Sequence, residues 1–217
     1  MATHRSADPD VRERLLQAGL VIAREHGLRA MTVRAVATRA QANLGSFVYH
    51  FGTRDTFVAE LIERLYSPMM ATLELDATHS ADPVVNLRRT VLDFVAWVAA
   101  QREFLAHLLL DAGAGEPGAM AFVRTLDQRH PALMLRLVAQ CQAAGRIEAG
   151  APLHALMFLM TTLAVPVLVF HMIGQHALAP PALVKPLAGF ALDPAQIRQR
   201  LDWALRGLAP DERNPSR

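Results

Sequence analysis

From Ala149 to Val184 the chain carries no Asp, Glu, Lys or Arg. Such a stretch must leave water, and few folds accommodate it. Ala155 to Ile173 alone approaches the roughly 20 residues that cross a bilayer. Thr161, Thr162, Pro166, His154, His171 and His176 interrupt the apolar character. Basic residues do not cluster at either end, and there is no aromatic belt of Trp or Tyr. A helix apolar on all sides also fits a large core or a subunit interface. Burial is the preferred reading and no membrane partner is expected. A membrane-anchored protein is the alternative. Paired with the segment from Pro194 to Leu208, this helix supplies half of a dimeric four-helix bundle, giving a homodimer through residues 152–176 and 194–208.

The rest of the chain is helical in pattern, with no period-2 strand. Between Pro9 and His26, Val11, Leu15, Ala18, Ile22 and Ala23 form one stripe, widened by Leu16 and Leu20. Asp8 caps this helix and Gly27 ends it. Thr32 caps a short helix to Arg39, and Asn43 caps another from Leu44 to Phe51, stopped by Gly52. Phe47 and Phe51, four apart, share its buried face. Thr53 caps a helix from Arg54 past Tyr66, which Pro68 bends or restarts. Longer helices follow over Pro83–Gln101, Arg102–Leu110, Ala119–Ala144 (interrupted at Pro131), Pro152–His176 and Pro194–Leu208. Residues 111–118 read as a loop, Ala177–Leu192 as irregular, and the tail as frayed. The expected fold is all-α, with a helix-turn-helix domain over 1–56 and a larger helical domain over 57–217.

Charge and cysteine content narrow the function. Cys141 is the single cysteine, which excludes an internal disulfide framework and a cysteine-rich zinc site. The polar N-terminus lacks the apolar core of a signal peptide, so a cytoplasmic location is expected. Between Glu25 and Asp55 there is no acid, while Arg29, Arg34, Arg39 and Arg54 lie there. Such a patch attracts an anionic partner, although a solvated surface also produces such gaps. Asp93, Glu103 and Asp111 read as scattered surface charges. No nucleophile motif, phosphate loop or metal cluster is present. His171 and His176 are five apart, off the i, i+4 spacing of helical metal ligands. No catalytic residue, metal or cofactor is therefore expected.

Three helices of about 16, 8 and 8 residues, the last two joined by the turn Ala40-Gln41-Ala42-Asn43, have the pattern of a helix-turn-helix module. The second helix offers small residues for close packing. The third turns Phe47 and Phe51 inward and leaves Gly45, Ser46, Tyr49 and His50 outward, side chains suited to phosphates and base edges.

Residues 11 to 62 resemble the DNA-binding domain of the TetR family of transcriptional regulators. The string is T-V-R-A-V-A-T-R-A-Q-A-N-L-G-S-F-V-Y-H-F-G-T-R-D-T-F, Thr32 to Phe57. Its anchors are Thr32, Ala37, Ala40, Gly45, His50-Phe51 and Thr53-Arg54-Asp55. Three positions depart from the family pattern. Gln41 stands at the turn glycine, costing on the order of 1 kcal/mol if φ is positive there. Val48 stands at the usual tyrosine, with Tyr49 following about 100° further round the helix. Arg54 replaces the usual lysine and adds a fork.

The resemblance implies double-stranded operator DNA as partner. Arg34 would read a base edge, such as guanine. Thr32 and Arg54 would hold phosphates. Leu44, Gly45, Ser46, Tyr49 and His50 would form the groove-facing surface, with Leu44 against a thymine methyl. It also implies a C-terminal pocket for a small, mostly apolar effector. Candidate lining residues are Trp97, Phe104, His107, Phe122, Met134, Cys141, Phe158, Met160 and Phe170, which as Met and aromatic residues at helical spacing also suit plain core. Tyr66-Ser67-Pro68 is a candidate lever between the domains. The expected function is a homodimeric, effector-released repressor on a palindromic operator. The alternatives are a constitutive repressor and, less favoured, an all-helical enzyme.

Overall fold

A computed structural model describes residues 9–175 and 178–210. Asp8, His176 and the tail beyond 210 lie outside the described residues, and so do the expectations placed on them. The order is α1 (Pro9–His26), α2 (Val33–Arg39), α3 (Leu44–Phe51), α4 (Arg54–Asp76), α5 (Pro83–Ala100), α6 (Arg102–Gly113) and α7 (Pro117–Val123). A 3₁₀ turn follows at Leu126–Gln128, then α8 (His130–Ala143), α9 (Pro152–Gln175), α10 (Pro181–Leu192) and α11 (Pro194–Gly207). No strand occurs among the described residues, and the fold is all-α.

Local chemistry sets the N-terminal boundaries. Thr32 Oγ1 accepts from Ala35 N at 3.1 Å and Asn43 Oδ1 from Ser46 N at 2.7 Å, each capping its helix. Thr53 Oγ1 does the same for Thr56 N at 3.1 Å. Asp193 caps α11 through Ala195 N at 2.8 Å. Gln41 has φ +52°, the only positive φ outside glycine among the described residues. The turn between α2 and α3 therefore does require the left-handed conformation that glycine would supply.

Four boundaries differ from expectation, all around Pro and Gly. α4 runs through Pro68 without a break: the burial of Tyr66, Met69 and Leu73 on either side offsets the lost amide bond and the crowding of the ring against the preceding turn. The 111–118 loop shrinks to three residues, since α6 continues to Gly113 and α7 starts at Pro117. The helix expected over 119–144 with an interruption at Pro131 is indeed interrupted, but the break spans 124–129 and holds the 3₁₀ turn, and Pro131 lies in the first turn of α8, where its missing amide costs nothing. The segment read as irregular contains α10, with Pro181 at its first turn and Pro186 inside.

The chain forms two compact units. One takes the residues up to Ser67 together with Glu103–Thr125; the other takes Pro68–Arg102 and the residues from Leu126 onward. A single cut after residue 56 would fall inside α4. The first unit needs α6 and α7 because Phe104, Leu108 and Ala119 complete the core begun by Leu15, Leu16, Ile22, Val36, Phe47, Phe57 and Leu61. The Phe57 ring meets Phe47 at a tilt and Phe51 edge to face, at centroid distances of 5.0 and 4.8 Å. Its ring passes so close to Gly19 that a Cβ there would lie 2.5 Å from it. In the second unit, α5, α8, α9 and α11 pack around Leu87, Val91, Met134, Leu137, Leu159, Leu163 and Leu201.

Candidate nucleic-acid interface

α3 is held on one side and open on the other. Phe47 and Phe51 are buried, while Leu44, Val48 and Tyr49 are 47%, 56% and 63% exposed. Gly45 is exposed, and Ser46 and His50 are half-buried. The Tyr49 and His50 rings meet edge to face at 5.2 Å, so the phenol and the imidazole project as a pair. Val48 is the residue sequence reasoning left out. It shares the open face, and its signal is a large apolar side chain that finds no core. Thr32 and Arg34 are also exposed, at the start of α2.

The four arginines of the acid-free stretch divide into two kinds. Arg39 grips Glu25 with two hydrogen bonds, at 2.9 and 3.2 Å. Arg54, expected at a phosphate, is tied inward. Its Nε donates to Met31 O at 2.8 Å, Nη2 to Leu28 O at 2.6 Å and Nη1 to Glu116 Oε1 at 2.9 Å. Arg29 and Arg34 are left exposed, and they carry the positive charge of this face.

Arg54 belongs to a clamp on the α1–α2 turn. The Glu116 side chain is 3% exposed, and its second oxygen accepts from Ala119 N at 2.6 Å, capping α7. Asp111, expected on the surface, is buried and accepts from Leu28 N at 2.6 Å. Two carboxylates from α6 and the α6–α7 link thus fix the turn that leads into Thr32 and Arg34. A buried carboxylate without such donors would be costly.

The expected pocket residues are divided between the two units. Phe104 is in the core of the first unit, and Phe122 packs on Tyr66 there, ring centroids 5.1 Å apart. His107 is also in that unit, half-buried. Met134 and Cys141 are fully buried in the second, and burial raises the Cys141 thiol to about 11. Trp97 stacks near Phe94, Met160 is half-buried and Phe158 is exposed. Phe170 borders a cavity between α9 and α10. Helix periodicity reports burial, not what a side chain is buried against.

A capped α2, a left-handed turn and an α3 with one locked and one open face form a helix-turn-helix. Residues 15–61 match the model for bacterial regulatory proteins, tetR family, and the chain has the TetR-family regulator fold. Solved structures share it over nearly the full length. SmeT in complex with triclosan is 23% identical, with 93% of each chain covered and a TM-score of 0.67. A TetR transcription regulator from Haloarcula marismortui is 15% identical, over 94% of this chain and 100% of that one, at 0.66. A tetR-family regulatory protein from Rhodococcus RHA1 is 16% identical with the same coverage, at 0.65. No curated protein matches the chain.

Proposed function

We propose that the protein is a homodimeric repressor that reads a palindromic operator with α3 and releases it on binding a small effector. The observation that carries the DNA reading is the open face of α3, where Leu44, Val48 and Tyr49 stand exposed on a helix whose other face is locked by Phe47 and Phe51. In this reading Leu44, Gly45, Ser46, Tyr49 and His50 enter the major groove, Arg34 meets a base edge, and Thr32 contacts phosphate. Arg54 serves phosphate binding indirectly, by fixing the turn before Thr32.

The dimer reading rests on α9 and α11. By length and composition α9 could cross a membrane, and its most apolar window is only 28% buried. Leu153, Met157, Phe158, Val165 and Val169 occupy one broad exposed face of it, and Trp203 is exposed on α11. A contiguous apolar face of this kind marks an interface, and a second copy covers it in the repressor reading. Two α3 helices then address successive major grooves.

Fluorescence anisotropy on fragments flanking the gene, across a salt series, tests the DNA reading. Saturable, sequence-selective binding that weakens with salt is expected. Tyr49→Ala should weaken it with thermal stability unchanged. Equal affinity for every fragment and for random DNA would refute an operator in that region. Loss of stability with intact affinity in the folded fraction would make Tyr49 a core residue.

A further inference from the structure

The hairpin of α9 and α10 encloses a cavity of about 300 Å³ in the second unit, at the small end of ligand sites. Its walls are apolar, with Val167, Phe170, Leu187 and Leu192 among them, and its ionisable groups are Arg102 and His171. No carboxylate lines it among the described residues. The sequence makes this more than local, since no Asp or Glu occurs between Glu148 and Asp193. Arg102 uses Nη1 on Ala99 O at 2.8 Å.

A second cation lies behind the wall. Phe170 meets Phe190 at a centroid distance of 6.1 Å, and the Arg200 guanidinium sits 4.2 Å over the Phe190 ring. Arg200 is 2% exposed and donates Nη1 to Thr162 O at 2.7 Å, while its Nε and Nη2 have no partner among the described residues. Facing an aromatic ring and one carbonyl, this buried guanidinium has no counter-ion among the described residues. Its field in a poorly screened interior favours a negative group nearby.

We propose that this cavity binds an amphipathic organic anion, its apolar body against Val167, Phe170, Leu187 and Leu192 and its carboxylate at Arg102. The proposal names the ligand class of the effector reading and rests on it only for the effect on DNA. The balance of charge favours a carboxylate over an amine or a neutral alcohol of the same length.

Isothermal titration of the full-length protein at pH 7 with sodium octanoate, 1-octanol and octylammonium separates these cases. Octanoate is expected to bind at least tenfold more tightly than octanol, with octylammonium weakest. Arg102→Gln should bring octanoate down to the octanol level and leave octanol unchanged, which a merely structural role would not do. Leu187→Trp, filling the cavity, should abolish both. Equal affinities for octanoate and octanol, an unchanged octanoate affinity in Arg102→Gln, or no octanoate binding would overturn the site. Octanoate binding with no change in operator affinity by anisotropy would uphold the site and overturn the effector reading.

Discussion

The clamp on the α1–α2 turn ties the stability of the first unit to the proposed DNA reading. Glu116→Ala removes two interactions at once. The α7 cap through Ala119 N is worth about 1 kcal/mol. The charged hydrogen bond from Arg54 to Glu116 is worth about 1.5–3 kcal/mol. Together they predict a loss of about 3 kcal/mol. For a chain of this size that lowers Tm by roughly 6–12 °C. Glu116→Gln keeps one acceptor oxygen, which can serve the cap or Arg54 but not both, and should cost roughly half as much.

A double-mutant cycle isolates the pair. Arg54→Ala alone loses the bonds to Leu28 O and Met31 O as well as that to Glu116. Urea denaturation of the two single variants and the double variant should give a coupling of about 1.5–3 kcal/mol. Operator affinity of the folded Glu116→Ala protein should also fall, because the loosened turn leads into Thr32 and Arg34. Additivity within about 0.5 kcal/mol would refute the clamp. Unchanged operator affinity would confine it to stability.

Three further outcomes are expected. Gln41→Gly relieves a left-handed residue at about 1–2 kcal/mol while adding unfolded-state entropy of about 0.5–1 kcal/mol, so a net gain of about 0.5 kcal/mol should appear in urea melts; Gln41→Val should be less stable than the parent. His130 stacks on Phe94 at 4.5 Å, and burial lowers its pKa from 6.5 to about 4. The unfolded chain therefore takes up a proton that the folded chain refuses. Stability from this site is full above pH 6.5 and falls by up to roughly 3 kcal/mol as pH drops through about 4. A His130→Phe variant whose pH–stability profile between 4 and 6.5 matched the parent's would refute this. Arg34→Ala should relax base preference at one position in each half-site, read by competition with single-base operator variants; an unaltered preference would remove Arg34 from the reading set.

What the sequence disclosed was local. Thr32, Asn43, Thr53 and Asp193 identify helix starts because a cap needs only a short oxygen-bearing side chain and an amide two or three residues on. The Gln41 strain is legible for the same reason: one turn of known shape imposes one φ. The proline-rich stretches misled because composition does not say where in a helix a proline falls. Pro131 and Pro181 lie in first turns, where the ring fits. The dispersal of Phe104, Phe122, Met134 and Cys141 was hidden because a buried helix face looks alike in a core and around a ligand.

Gly27 shows where local reading stops. Its positive φ of 79° is enough to explain a glycine at the end of α1. The fold adds a second requirement, since a Cβ at Gly27 would lie 2.6 Å from Asp111 Oδ2. Asp111 reaches that point from 83 residues beyond Leu28, whose amide it binds, and no pattern around Gly27 announces it. Asp111 and Glu116 look like ordinary surface acids in the sequence, yet both are buried against the turn that precedes α2. The setting of the start of α2, which faces DNA in the proposed function, thus depends on a link between two helices that lies outside the helix-turn-helix string. The proposed function therefore predicts that substitutions at Asp111 and Glu116 alter operator affinity although neither residue lies on the open face of α3.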